Sequence, residues 1–157
     1  RANNVIGSGK YMSNTNSKGI VRLVTDKDKG EILPVAPEGY VDLGLPSGTI
    51  WKENNDGGNN QLYDDLVLKY SNDLPSRSQF IELMDLCQWT WNGAGYKVVG
   101  PNGNHIILPY TDSHPYFGRM GHYRAYDGSI LVFHHREENS IYIGDSWEYG
   151  TAARLVY

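Results

Sequence analysis

The best helix signal in this 157-residue chain is a single capped stripe, and it limits the fold more than any other feature. Ser76-Arg77-Ser78-Gln79 is a capping box: the Ser76 hydroxyl can accept from the Gln79 amide while the Gln79 side chain reaches back. Pro75 suits the entry, and Phe80, Leu83, Met84 and Cys87 recur at i, i+3, i+4 and i+7. This spacing predicts a helix of about three turns over 77–87. Elsewhere the apolar runs are short and punctuated by turn residues. Val41, Leu43 and Leu45 alternate ahead of Pro46-Ser47-Gly48 and Thr49-Ile50-Trp51, which reads as a β-hairpin. Tyr96–Val99 and His105–Leu108 flank a turn containing Asn102-Gly103, a second hairpin. Ser129–His134, Ile141–Gly144 and Ala153–Tyr157 add later strands. One main helix with six or more short strands defines an α+β class.

Two segments lack a clear period. Asn54 to Gln61 holds four Asn and two Gly in eight residues and is expected to be a loop, whereas Leu62–Tyr70 fits either a short helix or an irregular segment. Residues 1–37 differ from the rest. They read as an extended leader with strands at Ile20–Thr25 and Glu31–Val35 around a polar turn, and Pro34 and Pro37 mark a joint before a domain spanning 38–157. The bland reading of the leader is a linker or the tail of a preceding domain.

Composition removes several classes of function. Eighteen acidic against 14 basic residues give a net charge of -4, which argues against a nucleic-acid partner held through phosphates. No apolar run reaches the roughly 18 residues of a membrane span. The one cysteine, Cys87, allows no internal disulfide and falls in the helical stripe, so it reads as a packed thiol rather than a nucleophile. Asp64-Asp65 and Glu137-Glu138 are adjacent carboxylates, which point apart along a chain and read as solvated charge. His114 and His122 have no metal-ligand spacing, and His134-His135 project to opposite faces of a strand. Phosphate-binding glycine loops and the Gly-x-Ser-x-Gly elbow are missing. The expectation is a non-enzyme with no metal and no cofactor.

What remains is where the aromatic residues fall. Residues 110–149 carry nine of the 19 aromatics, interleaved with Arg, His and acidic side chains. Tyr, Trp and Arg bury large areas with few rotatable bonds and hydrogen-bond at their tips, and aromatic faces stack on sugars. The candidate ligand-binding residues are Tyr116, Arg119, His122, Arg124, Tyr126, His134, Arg136, Trp147, Glu148 and Tyr149. Phe133, Tyr110 and Tyr123 are expected to belong to the framework instead.

Several ordered stretches carry a family resemblance. Tyr40-Val41-Asp42-Leu43-Gly44-Leu45-Pro46-Ser47-Gly48-Thr49-Ile50-Trp51 is the first, and Leu74-Pro75-Ser76 leading to Cys87-Gln88-Trp89-Thr90-Trp91 is the second. Gly95-Tyr96-Lys97-Val98-Val99-Gly100 through Pro109, Gly121-His122-Tyr123, and Gly150-Thr151-Ala152-Ala153-Arg154-Leu155-Val156 complete the set. Together they resemble the Fibrobacter succinogenes major paralogous domain family over residues 40–157. The resemblance implies a C-type-lectin-like fold, related to formylglycine-generating domains, in a secreted or surface protein of Bacteroides-like bacteria. Where that family continues Trp-Ser-Ser after Gly-x-Tyr, this chain has Arg124-Ala125-Tyr126. Calcium-binding lectin signatures are missing, and one cysteine does not supply a formylglycine-generating site.

The resulting expectation is an extracellular or cell-surface adhesion and recognition domain, its signal or lipoprotein segment removed, that binds an unidentified protein or glycan through 110–149. The resemblance further suggests a hypervariable protein of a diversity-generating retroelement. The alternative is a structural, terminal module of a surface fibre or lipoprotein without a soluble ligand.

Overall fold

The computed structural model describes residues 36–136, 139–145 and 149–157, with the Asn139 side chain excepted, and the backbone of four two-residue strands in the leader. Those strands are β1 (Val5–Ile6), β2 (Gly9–Lys10), β3 (Thr25–Asp26) and β4 (Glu31–Ile32). β1 pairs with β2 and β3 with β4. The rest of the expected strands at 20–25 and 31–35 lies outside the described residues. The chain divides into two compact units, Arg1–Glu38 and Gly39–Tyr157. Among the described residues no helix is long and apolar enough to cross a membrane.

The second unit is mixed α+β, built mostly of antiparallel strands with two short helices. β5 (Tyr40–Asp42) and β6 (Ile50–Lys52) form the first hairpin, closed by the Gly48 amide on the Leu45 carbonyl at 2.9 Å. β7 (Asp56–Gln61) follows, then α1 (Tyr63–Tyr70) and α2 (Arg77–Leu86). β8 (Gln88–Trp91), β9 (Gly95–Val99) and β10 (His105–Pro109) make a three-stranded antiparallel sheet. β11 (Asp112–His114), β12 (Gly118–Arg124), β13 (Ile130–His135), β14 (Asn139–Gly144) and β15 (Thr151–Ala153) build the larger sheet with β7. Its order is β14-β13-β12-β15-β7, with β11 also against β12; only the β12–β15 contact is parallel.

The capping box forms as its spacing predicts: Ser76 accepts from the Gln79 amide at 3.1 Å, and the Gln79 side chain accepts from the Ser76 amide at 2.8 Å. Such a cap is worth about 1 kcal/mol. It aims Phe80 and Leu83 into the core, where Phe80 meets the Trp51 ring at 5.6 Å between centroids. Cys87 ends the helix in extended geometry, half-buried against that core, and burial pushes its thiol up to about 11. The ambiguous 62–70 segment is helical, anchored by buried Leu66.

The Asn54–Gln61 loop expectation is corrected, because Asp56–Gln61 is a strand at the sheet edge pairing with β15. Side-chain periodicity could not reveal it. Its middle residues are exposed on both sides, and backbone pairing holds it while the Gln61 amide donates to the Asp56 and Gly58 carbonyls at 2.9 Å. Likewise β12 is buried on both faces for most of its length, which erases the alternation of a half-exposed strand. The final strand is also shorter than expected. After Ala153 the chain leaves the sheet and pairs with β6 instead, through reciprocal bonds between Ile50 and Tyr157 and a 2.9 Å bond from the Lys52 amide to the Leu155 carbonyl.

Directly paired residues share a face of a sheet, and that separates the two faces here. Tyr123, Leu131 and Ile143 form one cross-strand row, and Gly121, Phe133 and Ile141 the next. Both rows join the core cluster with Trp51, Phe80, Tyr96 and Leu108. The reverse face carries the rows Met120–His134–Ser140 and His122–Val132–Tyr142. Gly121 has no room for a side chain: a Cβ there would meet the Phe133 ring at 2.2 Å. Gly121→Ala should lower stability by about 1–3 kcal/mol through overpacking, read as an earlier guanidinium midpoint at unchanged slope. An unchanged midpoint would mean that this ring is not fixed by the core.

Candidate functional site

The reverse face of the larger sheet brings together much of what the sequence singles out. At its open end the turn 115–117 projects Tyr116 and Phe117, which are 71% and 44% exposed. The turn is fixed by its own neighbours. The His114 Nδ1 accepts from the Tyr116 and Phe117 amides at 3.0 and 3.3 Å. Arg136 donates to the Pro115 carbonyl at 2.9 Å and also to the Tyr116 carbonyl. Gly118 closes it at φ +78°, where a Cβ would lie 2.5 Å from the His135 carbonyl oxygen. From this turn an aromatic ledge runs onto two strands, β13 and β14: Tyr116 to Phe117 at 5.1 Å, Phe117 to His134 at 5.3 Å and His134 to Tyr142 at 5.8 Å. Tyr142 is 42% exposed, so the ledge ends in solvent at both sides.

Beside the ledge lies a cavity of about 540 Å³. Asn59 and Asn60 of β7 stand on one side, with Asp112 of β11 and Met120 and His122 of β12 on the other. Exposed Tyr149 forms part of the rim. Cross-strand pairing joins cavity and ledge, since Met120 sits opposite His134. His122 is only 5% exposed. Burial, followed by the like influence of His134, holds its pKa below the usual imidazole range, against the opposing pull of Asp112. Burial lowers His134 as well. One Asp112 oxygen accepts the Ser113 amide at 2.7 Å.

The other candidate residues divide by position. Arg124 is buried, donates to the Gly128 and Tyr149 carbonyls at 2.9 Å, and lies 5.4 Å from the Tyr63 ring centre, so it braces the end of β12. Arg119 is exposed on the opposite side of β12, over the Tyr110 ring at 5.0 Å, and donates to the Gly93 carbonyl. Tyr126 lines a different hollow of about 490 Å³ at the start of α2, with Arg77, Ile81 and Asp127. Trp147 and Glu148 lie outside the described residues, as do Glu137 and Glu138. Phe133 and Tyr123 are fully buried and Tyr110 packs on the core. Among the described residues, no three His, Cys, Asp or Glu side chains gather as a metal ion would require.

Sequence reasoning did not select Asn59, Asn60, Asp112, Phe117 or Tyr142 for the site. Tyr142 had a signal, because it lies between Ile141 and Ile143 in a period-two run and must therefore face away from the core. The asparagines had none, since they reach the cavity only through the β7–β15 pairing. No family model, no curated protein and no solved structure matches the chain.

The buried imidazole makes a sign-definite prediction. Unfolded, His122 takes its proton near 6.5, and folded it does so at lower pH, so its contribution is complete above about 6.5 and is lost as pH falls through the folded value. His134 acts in the same sense. The melting temperature should fall between pH 7.5 and 5, and His122→Asn should flatten that slope. A melting temperature that rises on acidification would contradict the placement of His122.

Proposed function

We propose that the chain is a non-catalytic, extracellular recognition domain of C-type-lectin-like architecture, related to the Fibrobacter succinogenes major paralogous domain family, that binds its ligand on the reverse face of the larger sheet. The observation that carries this reading is the pairing of a solvent-facing aromatic ledge with a polar cavity on one face, while the opposite face is devoted to the core. Large rigid aromatics held in place before binding lose little rotamer freedom on contact, which favours recognition over a purely structural surface. Residues of the ledge project from a turn and from strand faces, so they can be exchanged without disturbing the core rows. This fits the variable protein of a diversity-generating retroelement. A template repeat of the coding segment for 110–149 beside a reverse-transcriptase gene is the expected genomic signature.

A binding screen against glycans and bacterial or host surface proteins, run with and without chelator, tests the reading. Binding should survive chelation. The Tyr116→Ala/Tyr142→Ala pair should lose about 2 kcal/mol, roughly thirtyfold in affinity, with little change in melting temperature because both rings are exposed. Loss of binding on chelation would overturn the metal-free reading. No binding to any surface would favour a terminal module of a fibre or lipoprotein.

A further inference from the structure

Resting on that recognition reading, we infer that the cavity beside the ledge is a subsite for the neutral, hydroxyl-rich end of a glycan, with the ledge as a stacking platform for the sugars that follow. Its volume, about 540 Å³, lies in the roughly 300–1,000 Å³ range of small-molecule sites. The chemistry of its walls sets the class of ligand. A sugar hydroxyl is donor and acceptor at once, so a site that holds several needs both kinds of partner. Asn59 and Asn60 line it with amide N–H and C=O groups of side chain and backbone, which offer both, the Asp112 carboxylate accepts, and His122 contributes an imidazole that is uncharged at neutral pH.

Acidic ligands do not suit these walls. No lysine or arginine is among the described residues that line the cavity; the nearby Arg124 guanidinium is buried and donates to the Gly128 and Tyr149 carbonyls, and Asp112 places a negative charge at the cavity edge. A phosphate, a sulfate or an acidic sugar would meet the Asp112 carboxylate and no cation in the described lining, at a cost that a hydroxyl does not incur. The geometry also gives the glycan a direction. Tyr149 at the rim and His134 in the row beside Met120 place aromatic rings next to the cavity, on the side where the chain of sugars would leave it. Gly150 keeps the Asn60 wall close, since a Cβ there would meet the Asn60 Oδ1 at 2.2 Å.

The test uses the whole chain on immobilised oligosaccharides ending in neutral hexoses or N-acetylhexosamines, beside the same glycans capped with sialic acid or sulfate. The expected result is binding to a subset of the neutral series and at least about tenfold weaker binding to the capped forms. Asn59→Ala and Asp112→Ala should each weaken the best neutral glycan about tenfold, the size expected from one lost hydrogen bond, at unchanged melting temperature. Equal or tighter binding of the capped glycans, or neutral binding untouched by both substitutions, overturns the inference. Binding to a surface protein through Tyr116 and Tyr142 with no glycan bound overturns it while leaving the recognition reading intact. If neither glycan nor protein binds, both fall.

Discussion

The buried guanidinium of Arg154 is the interaction on which the rest of the second unit depends. It donates to the Asn55 side chain at 2.7 Å and to the carbonyls of Lys52 and Ile107 at 3.3 and 2.6 Å, so one side chain ties β6, the segment entering β7, and β10. Asn55 in turn donates to the Tyr123 hydroxyl at 3.1 Å, which donates to the Pro109 carbonyl at 2.6 Å and brings β12 into the same network. Burial draws the Arg154 pKa down to about 10, still well above neutrality, and pushes the Tyr123 hydroxyl up to about 12. The cation and the neutral phenol therefore persist across the physiological range. If the guanidinium were removed, three part-buried acceptors would lose their donor together, at up to about 1–3 kcal/mol apiece.

That network explains how the site can be separate from the fold. The last residues, Arg154 to Tyr157, close on β6 and leave β15 beside β12, which fixes the position of β7 at the edge of the larger sheet. β7 then supplies Asn59 and Asn60 to the cavity. The ledge is held by a different set of bonds, those of His114 and Arg136 to the 115–117 turn. Framework and recognition surface thus rest on distinct side chains, although they share β12. Its alternate residues, Gly121 and Tyr123 inward, Met120 and His122 outward, serve one role each.

Legibility in the sequence followed the same division. The capping box, the helical stripe and the two hairpins could be read because each is a local pattern whose residues contact one another within a few positions. The 110–149 segment was recognisable as the aromatic surface for the same reason, and Tyr116, His134 and Tyr149 do lie at the ledge or the cavity rim. Arg124 carried no such information. An arginine among exposed aromatics and one that braces two carbonyls have the same spelling, and only burial distinguishes them. β7 stayed hidden because its order comes from a partner 90 residues away rather than from its own side chains. Asn59 and Asn60 stayed hidden with it.

A saturation substitution scan of residues 110–149 with two readouts, resistance to proteolysis for folding and capture on the ligand-bearing surface for binding, addresses the central claim most directly. The account predicts two separable maps. Gly121, Tyr123, Phe133 and Arg124 should be intolerant in both, whereas Tyr116, Phe117 and Tyr142 should accept most residues for folding and few for binding. If the positions that abolish binding coincide with those that abolish folding, the separation of recognition face from framework is wrong.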